Sequence, residues 1–157
     1  MAKFKAAFYK GTHPGMAGVY NRLVRWWTRS PYSHVELVFS DGQAGSSSAM
    51  DGGVRLKAID FDPAKWDFVE LPAHLEPAAR KWFEDHRGAA YDYWGNVHFV
   101  LSPIGDALRN WFCSKADAAA LGIPHPERFD PGTLHAALSF INQLASAGFF
   151  SPTAESL

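Results

Sequence analysis

Cys113 is the only thiol in 157 residues, and it stands at the head of an alanine-rich run, Ser114 to Leu121, that reads as a helix ending at Gly122. A thiol at a helix start faces unpaired backbone N–H groups and the positive end of the macrodipole, an environment that favours the thiolate and hence nucleophilic attack. A free cysteine is also at home as inert core packing. Catalysis therefore needs partners elsewhere: a histidine to take and return a proton, and a polar group to orient the imidazole. His34 and Glu36 have the right types. They lie in Ser33-His34-Val35-Glu36-Leu37-Val38-Phe39, a strand pattern whose alternation puts His34, Glu36 and Val38 on one face and Val35, Leu37 and Phe39 on the other. Two ionisable groups so spaced suit either a site or the solvent-facing side of an edge strand.

Other chemistry finds little support. Asp51-Gly52-Gly53 and Asp60-Phe61-Asp62 lack the ligand number for calcium and read as turns. The glycines form no phosphate-cradling loop before a helix. The remaining histidines, His13, His74, His86, His98, His125 and His135, show no i,i+4 pairing, and no Cys/His spacing resembles a zinc site, so neither a metal nor a cofactor is expected. A formal net charge of −1 argues against nucleic acid as the main partner, although Arg22, Arg25 and Arg29 form a local basic patch. Met1 to Lys10 is too short and too charged for a signal peptide, and no apolar run reaches membrane-spanning length. Together with one reduced thiol, this points to a cytoplasmic protein.

The elements that must position Cys113 and His34 follow from periodicity and turn residues. Phe4 to Tyr9 reads as a first strand. In Met16 to Thr28, Val19, Tyr20, Leu23, Val24 and Trp27 recur at helical spacing, which predicts an amphipathic helix packed on a sheet, with transient membrane-surface contact through Trp26-Trp27 as the alternative. After the His34 strand, turns at Asp41-Gly42 and Asp51-Gly52 separate strands at Gly45 to Met50 and Val54 to Lys57, and Trp66 to Leu71 supplies another, together a β-meander. Glu76-Pro77 opens a helix through about His86, Ala90 to Leu101 reads as helical, and Thr133 to Ala147 forms the last helix. A length of 157 residues suits one domain, here residues 1–148, with 149–157 a C-terminal tail. The class is α+β.

Tyr32-Ser33-His34-Val35-Glu36-Leu37-Val38, Gly88 to Tyr91-Asp92, and Trp111-Phe112-Cys113-Ser114 before an alanine-rich helix resemble the circularly permuted branch of the NlpC-type papain-like hydrolases, the YiiX/YebB-like cysteine hydrolases. The likeness spans roughly Phe4 to Leu138. It has the histidine strand before the cysteine helix, an order shared with the lecithin:retinol acyltransferase-like proteins. The resemblance implies a papain-like fold in which an antiparallel meander packs against helices and the nucleophile sits at a helix N-terminus. It implies Cys113 as nucleophile, His34 as general base, and Glu36 or the Ser46 to Ser48 strand as the orienting group. Tyr91, Ser33 and Ser114 would line the substrate site, with Asp92 a structural neighbour of Tyr91. The resemblance implies a small peptide, amide or acyl substrate, with cell-wall-type peptides the class first suggested, by hydrolysis or by acyl transfer to a lipid-type acceptor, and a binding module that keeps the fold without turnover is the remaining reading. Where the family commonly has Glu after Cys-Ser, this chain has Lys115.

Overall fold

The computed structural model describes residues 3–90 and 112–148. Five strands and four helices are described: β1 (Lys5–Tyr9), α1 (Met16–Thr28), β2 (His34–Val38), β3 (Gln43–Ser48), β4 (Gly53–Ala58), β5 (Trp66–Glu70), α2 (Glu76–Asp85), α3 (Cys113–Ala120) and α4 (Pro131–Ser146). The strands form one antiparallel sheet in the order β4-β3-β2-β1-β5. The α+β class is thus as expected, and β2 lies in the middle of the sheet. An edge-strand setting for His34 and Glu36 is therefore excluded, and the Glu36 side chain is 1% exposed.

The meander expectation needs one correction. Strands β2, β3 and β4 do follow one another as hairpins, but β5 pairs with β1 on the far side of the sheet. The connection after β4 carries Ile59 and Phe61 onto the face holding Ala7, Val38, Ala44 and Trp66. Both are partly buried there, so the connection covers that face as it crosses to the far side of the sheet.

The opposite face carries the main core. Phe4, Ala6, Phe8, Val35, Leu37, Phe39 and Val54 pack with Ala79 and Phe83 of α2, with Ala116, Ala118 and Ala120 of α3, and with Leu134 and Leu138 of α4. Small residues allow close approach. Helix α3 packs on β2 and β3 with fully buried alanines at 116 and 118, and a Cβ on Gly45 of β3 would come within 2.7 Å of the Phe83 ring. Helix α4 starts in a capping box, Asp130 accepting from the Gly132 and Thr133 backbone N–H groups.

Helix α1 overturns the expectation of a core-facing apolar stripe. Its buried residues are Gly18 and Asn21, whereas Val19, Tyr20, Leu23 and Trp27 are exposed. The polar side holds it to the body of the protein. Asn21 Nδ2 donates to Ser33 Oγ at 3.0 Å and Asn21 Oδ1 accepts from the His13 N–H. The Arg25 guanidinium donates to the Lys10 and Gly11 carbonyls at 2.6 and 2.9 Å. Gly18 is required here, since a Cβ at that position would lie 2.0 Å from the His13 carbonyl oxygen.

Candidate active site

The fold brings Cys113 to His34. Cys113 is the first residue of α3, after the extended N-cap Phe112, and its buried thiol lies near enough to the His34 ring for its charge to act on the imidazole. On the other side of that ring, Nε2 lies 2.8 Å from Glu36 Oε1. With Nε2 engaged by the carboxylate, Nδ1 is the nitrogen left to face the thiol, and Glu36 fixes which nitrogen carries the outward-pointing hydrogen. Trp66 meets the imidazole edge-on, with centroids 6.4 Å apart. His34 keeps 23% of its side chain exposed, which leaves a proton path to solvent.

Glu36 is ionised and buried because Arg55 pairs with it. From β4, Nη1 donates to Oε2 and Nη2 to Oε1, both at 2.5 Å, the bidentate fork that suits guanidinium to carboxylate. Arg55 Nε donates in turn to Asp51 Oδ2 at 2.8 Å, and Lys57 also pairs with Asp51. Burial opposes the Glu36 charge, but the Arg55 and His34 hydrogen bonds and charges outweigh it and lower the carboxyl below its usual 4.5. Burial likewise opposes protonation of His34. Cys113 and then Glu36 overcome it and raise the imidazole to about 10.

Several expected site residues fall elsewhere or play another part. Ser33 is buried and lines the cleft, but its Oγ is already taken by Asn21. The serine strand does not compete with Glu36 through Ser46, whose Oγ donates to the Val35 carbonyl at 2.8 Å. Ser114 lines the same cleft, its Oγ buried and without a hydrogen-bond partner among the described residues. Lys115 is 3% exposed, so it is part of the interior and not a surface charge. Tyr91 and Asp92, the helical expectation for Ala90 to Leu101 beyond Ala90, and the 149–157 tail lie outside the described residues.

The cleft beside Cys113 is lined by Tyr20, Val24, Trp27 and Thr28 of α1, Ser33, Phe112 to Ser114, and Asp130 with Pro131 at the start of α4. Its walls are mainly apolar, which suits a ligand with a hydrocarbon part. Among the described residues no group of three or more His, Cys, Asp or Glu side chains converges as a metal site would. His13 stacks on Tyr9; burial, then the charges of His34 and Lys65, lower its imidazole, so it stands near the site as a neutral group.

Sequence reasoning missed Arg55 and Asp117. Arg55 sits two strands from Glu36, and its cross-strand neighbour on the intervening β3 is Ser46. Only that small residue lets the guanidinium reach across, and no local pattern signals it. Asp117 follows Cys113 by one turn of α3, on the same helix side. It has no exposure, and neither carboxyl oxygen has a partner among the described residues. Burial, then the charges of Glu36 and Cys113, raise it well above 3.8 against the pull of Arg55. Raised in this way, Asp117 adds less negative charge to an interior that already holds the Glu36 carboxylate.

The folded chain holds this proton where the unfolded chain releases it, so stability falls as pH rises from 3.8 towards the folded-state value. Asp117→Ala is expected to add about 1–3 kcal/mol at neutral pH by removing an unpartnered buried polar group. It should also flatten that fall, as followed by urea unfolding from about pH 4 to about pH 7.

No family model, curated protein or solved structure matches the chain, so the geometry around Cys113 itself carries the functional reading.

Proposed function

We propose that the protein is a thiol hydrolase of the permuted papain-like class that cleaves an amide or related acyl bond through a Cys113 thioester. The observation that carries this reading is that His34, on which the charge of Cys113 acts, is hydrogen-bonded to a buried, Arg55-held Glu36. The Cys113 proton passes to His34 Nδ1, and the thiolate attacks the substrate carbonyl carbon. The Cys113 backbone N–H, in the first turn of α3 and without an intrahelical acceptor, donates to the oxyanion. As the tetrahedral adduct collapses, the leaving amine or alkoxide takes the proton from His34, and the thioester remains. Water then attacks with His34 as base, releasing the acid and restoring the thiol. Glu36 stabilises the imidazolium in both halves.

Acyl transfer to a lipid or amine is the second reading, favoured by the apolar cleft wall of Tyr20, Val24, Trp27 and Pro131. The two share the acyl-enzyme and differ in what attacks it. Incubation with p-nitrophenyl acyl esters and acyl-peptide amides should give an acyl adduct on Cys113 by mass spectrometry, with none in Cys113→Ala. A competing amine then reports hydrolysis or transfer by its share of the product. Absence of any adduct across both substrate series would remove the hydrolase reading in favour of a non-catalytic binding module. In the active protein, the alkaline limb of the pH–rate profile should lie near 10, where His34 loses its proton, and not near the 6.5 of a free histidine.

A further inference from the structure

An amphipathic helix of a globular protein normally turns its apolar side inward. Helix α1 does the reverse. Met16, Val19, Leu23, Trp26 and Trp27 are all exposed, Met16 at 82% and Trp26 at 73%. At 100° per residue they fall within about 100° of the helix circumference, a single arc. Gly18, Asn21 and Arg25, on the opposite side, hold the helix to the protein.

The charges on this element have one sign. Met16–Thr28 contains no acidic residue, Arg22 borders the arc and is exposed, and Arg29 follows the last turn, also exposed. The whole chain carries a formal charge of −1, so these cations are concentrated beside the apolar arc and not merely a sample of a basic surface. Trp26, Trp27 and Arg29 together line one shallow hollow, which presents an indole pair and a guanidinium to the same ligand. Adjacent tryptophans and arginines on an exposed apolar arc match the chemistry of a phospholipid headgroup layer, apolar just below a plane of phosphates.

We propose that α1 docks the protein on an anionic lipid surface. The Leu23 and Trp26 side chains enter the headgroup boundary, and Arg22 and Arg29 pair with lipid phosphates. Trp27 and Val24 also line the Cys113 cleft, so docking sets the mouth of that cleft against the lipid. The docking surface does not depend on turnover at Cys113.

The test uses the full chain carrying Cys113→Ala, so that binding is read without reaction. It is sedimented with vesicles of phosphatidylcholine alone or of phosphatidylcholine with phosphatidylglycerol. Binding to the anionic vesicles is expected, with a blue shift of tryptophan emission and a steep loss on adding salt. Arg22→Glu/Arg29→Glu should weaken it about thirtyfold or more, and Leu23→Ser/Trp26→Ser at least about tenfold. Both pairs are exposed, and unchanged circular dichroism and thermal midpoints verify folding. Failure to bind anionic vesicles, equal binding to both compositions, or indifference to both double variants would overturn the proposal. So would sedimentation equilibrium showing a dimer that Leu23→Ser/Trp26→Ser dissociates while vesicle binding is absent, since a second copy would then cover the arc.

Discussion

If the protein is the proposed thiol hydrolase, His34→Ala is expected to lower acyl turnover by about four orders of magnitude, since loss of one member of such a triad leaves only binding and oxyanion stabilisation. The substitution removes the acceptor for the Cys113 proton and the imidazolium that Glu36 holds in place. Its effect should also be visible without a substrate. The rate of alkylation of Cys113 by iodoacetamide in the unmodified protein should change across the range where His34 loses its proton, near 10. In His34→Ala that change near 10 should be absent. A merely structural role for His34 would alter stability but leave that profile in place. If the profile and rate are unchanged, the contact between His34 and Cys113 has no bearing on reactivity.

Arg55→Met is expected to cost about 3–5 kcal/mol, because it strands the Glu36 carboxylate in the interior without its bidentate partner. Adding Glu36→Gln to it should recover much of that loss, since two neutral side chains replace a broken ion pair, yet activity should not return. That split separates the stabilising part of the pair from its part in orienting His34. The pH dependence has a defined sign. Glu36 is lowered in the folded state, so the stability it contributes is fully present above its ordinary 4.5 and is lost as pH falls below it. Arg55 is the largest cause of that lowering after burial, which opposes it. The acid-side slope should therefore flatten in Arg55→Met, measured by urea unfolding at successive pH values. An unaltered slope would show that Glu36 is held ionised by something other than Arg55.

Helix α1 and strand β2 show how far pattern alone reaches. For α1, periodicity located the helix but not its orientation: an apolar stripe marks one side of a helix without saying what that side meets, and here hydrogen bonds from Asn21 and Arg25 set the side that faces the protein. For β2, alternation put His34 and Glu36 on one face and could not say whether that face met water. The answer depended on β1 and β3 flanking the strand and on Arg55 arriving from β4. Strand β5 was legible as a strand, but its place beside β1 was not, since that pairing joins segments some sixty residues apart.

What the sequence by itself determined is local: one thiol at a helix start, a histidine and a glutamate two apart on a strand, and the turns between elements. These follow from short-range rules of propensity, alternation and capping, which act between residues near in the chain. Only the tertiary structure decided that Cys113 meets His34, that Glu36 stays charged inside the protein, that Asp117 lies buried beside the thiol, and that α1 turns its tryptophans outward. Each of these depends on contacts between segments distant in sequence, where burial and charge pairing outweigh the preferences of any single stretch.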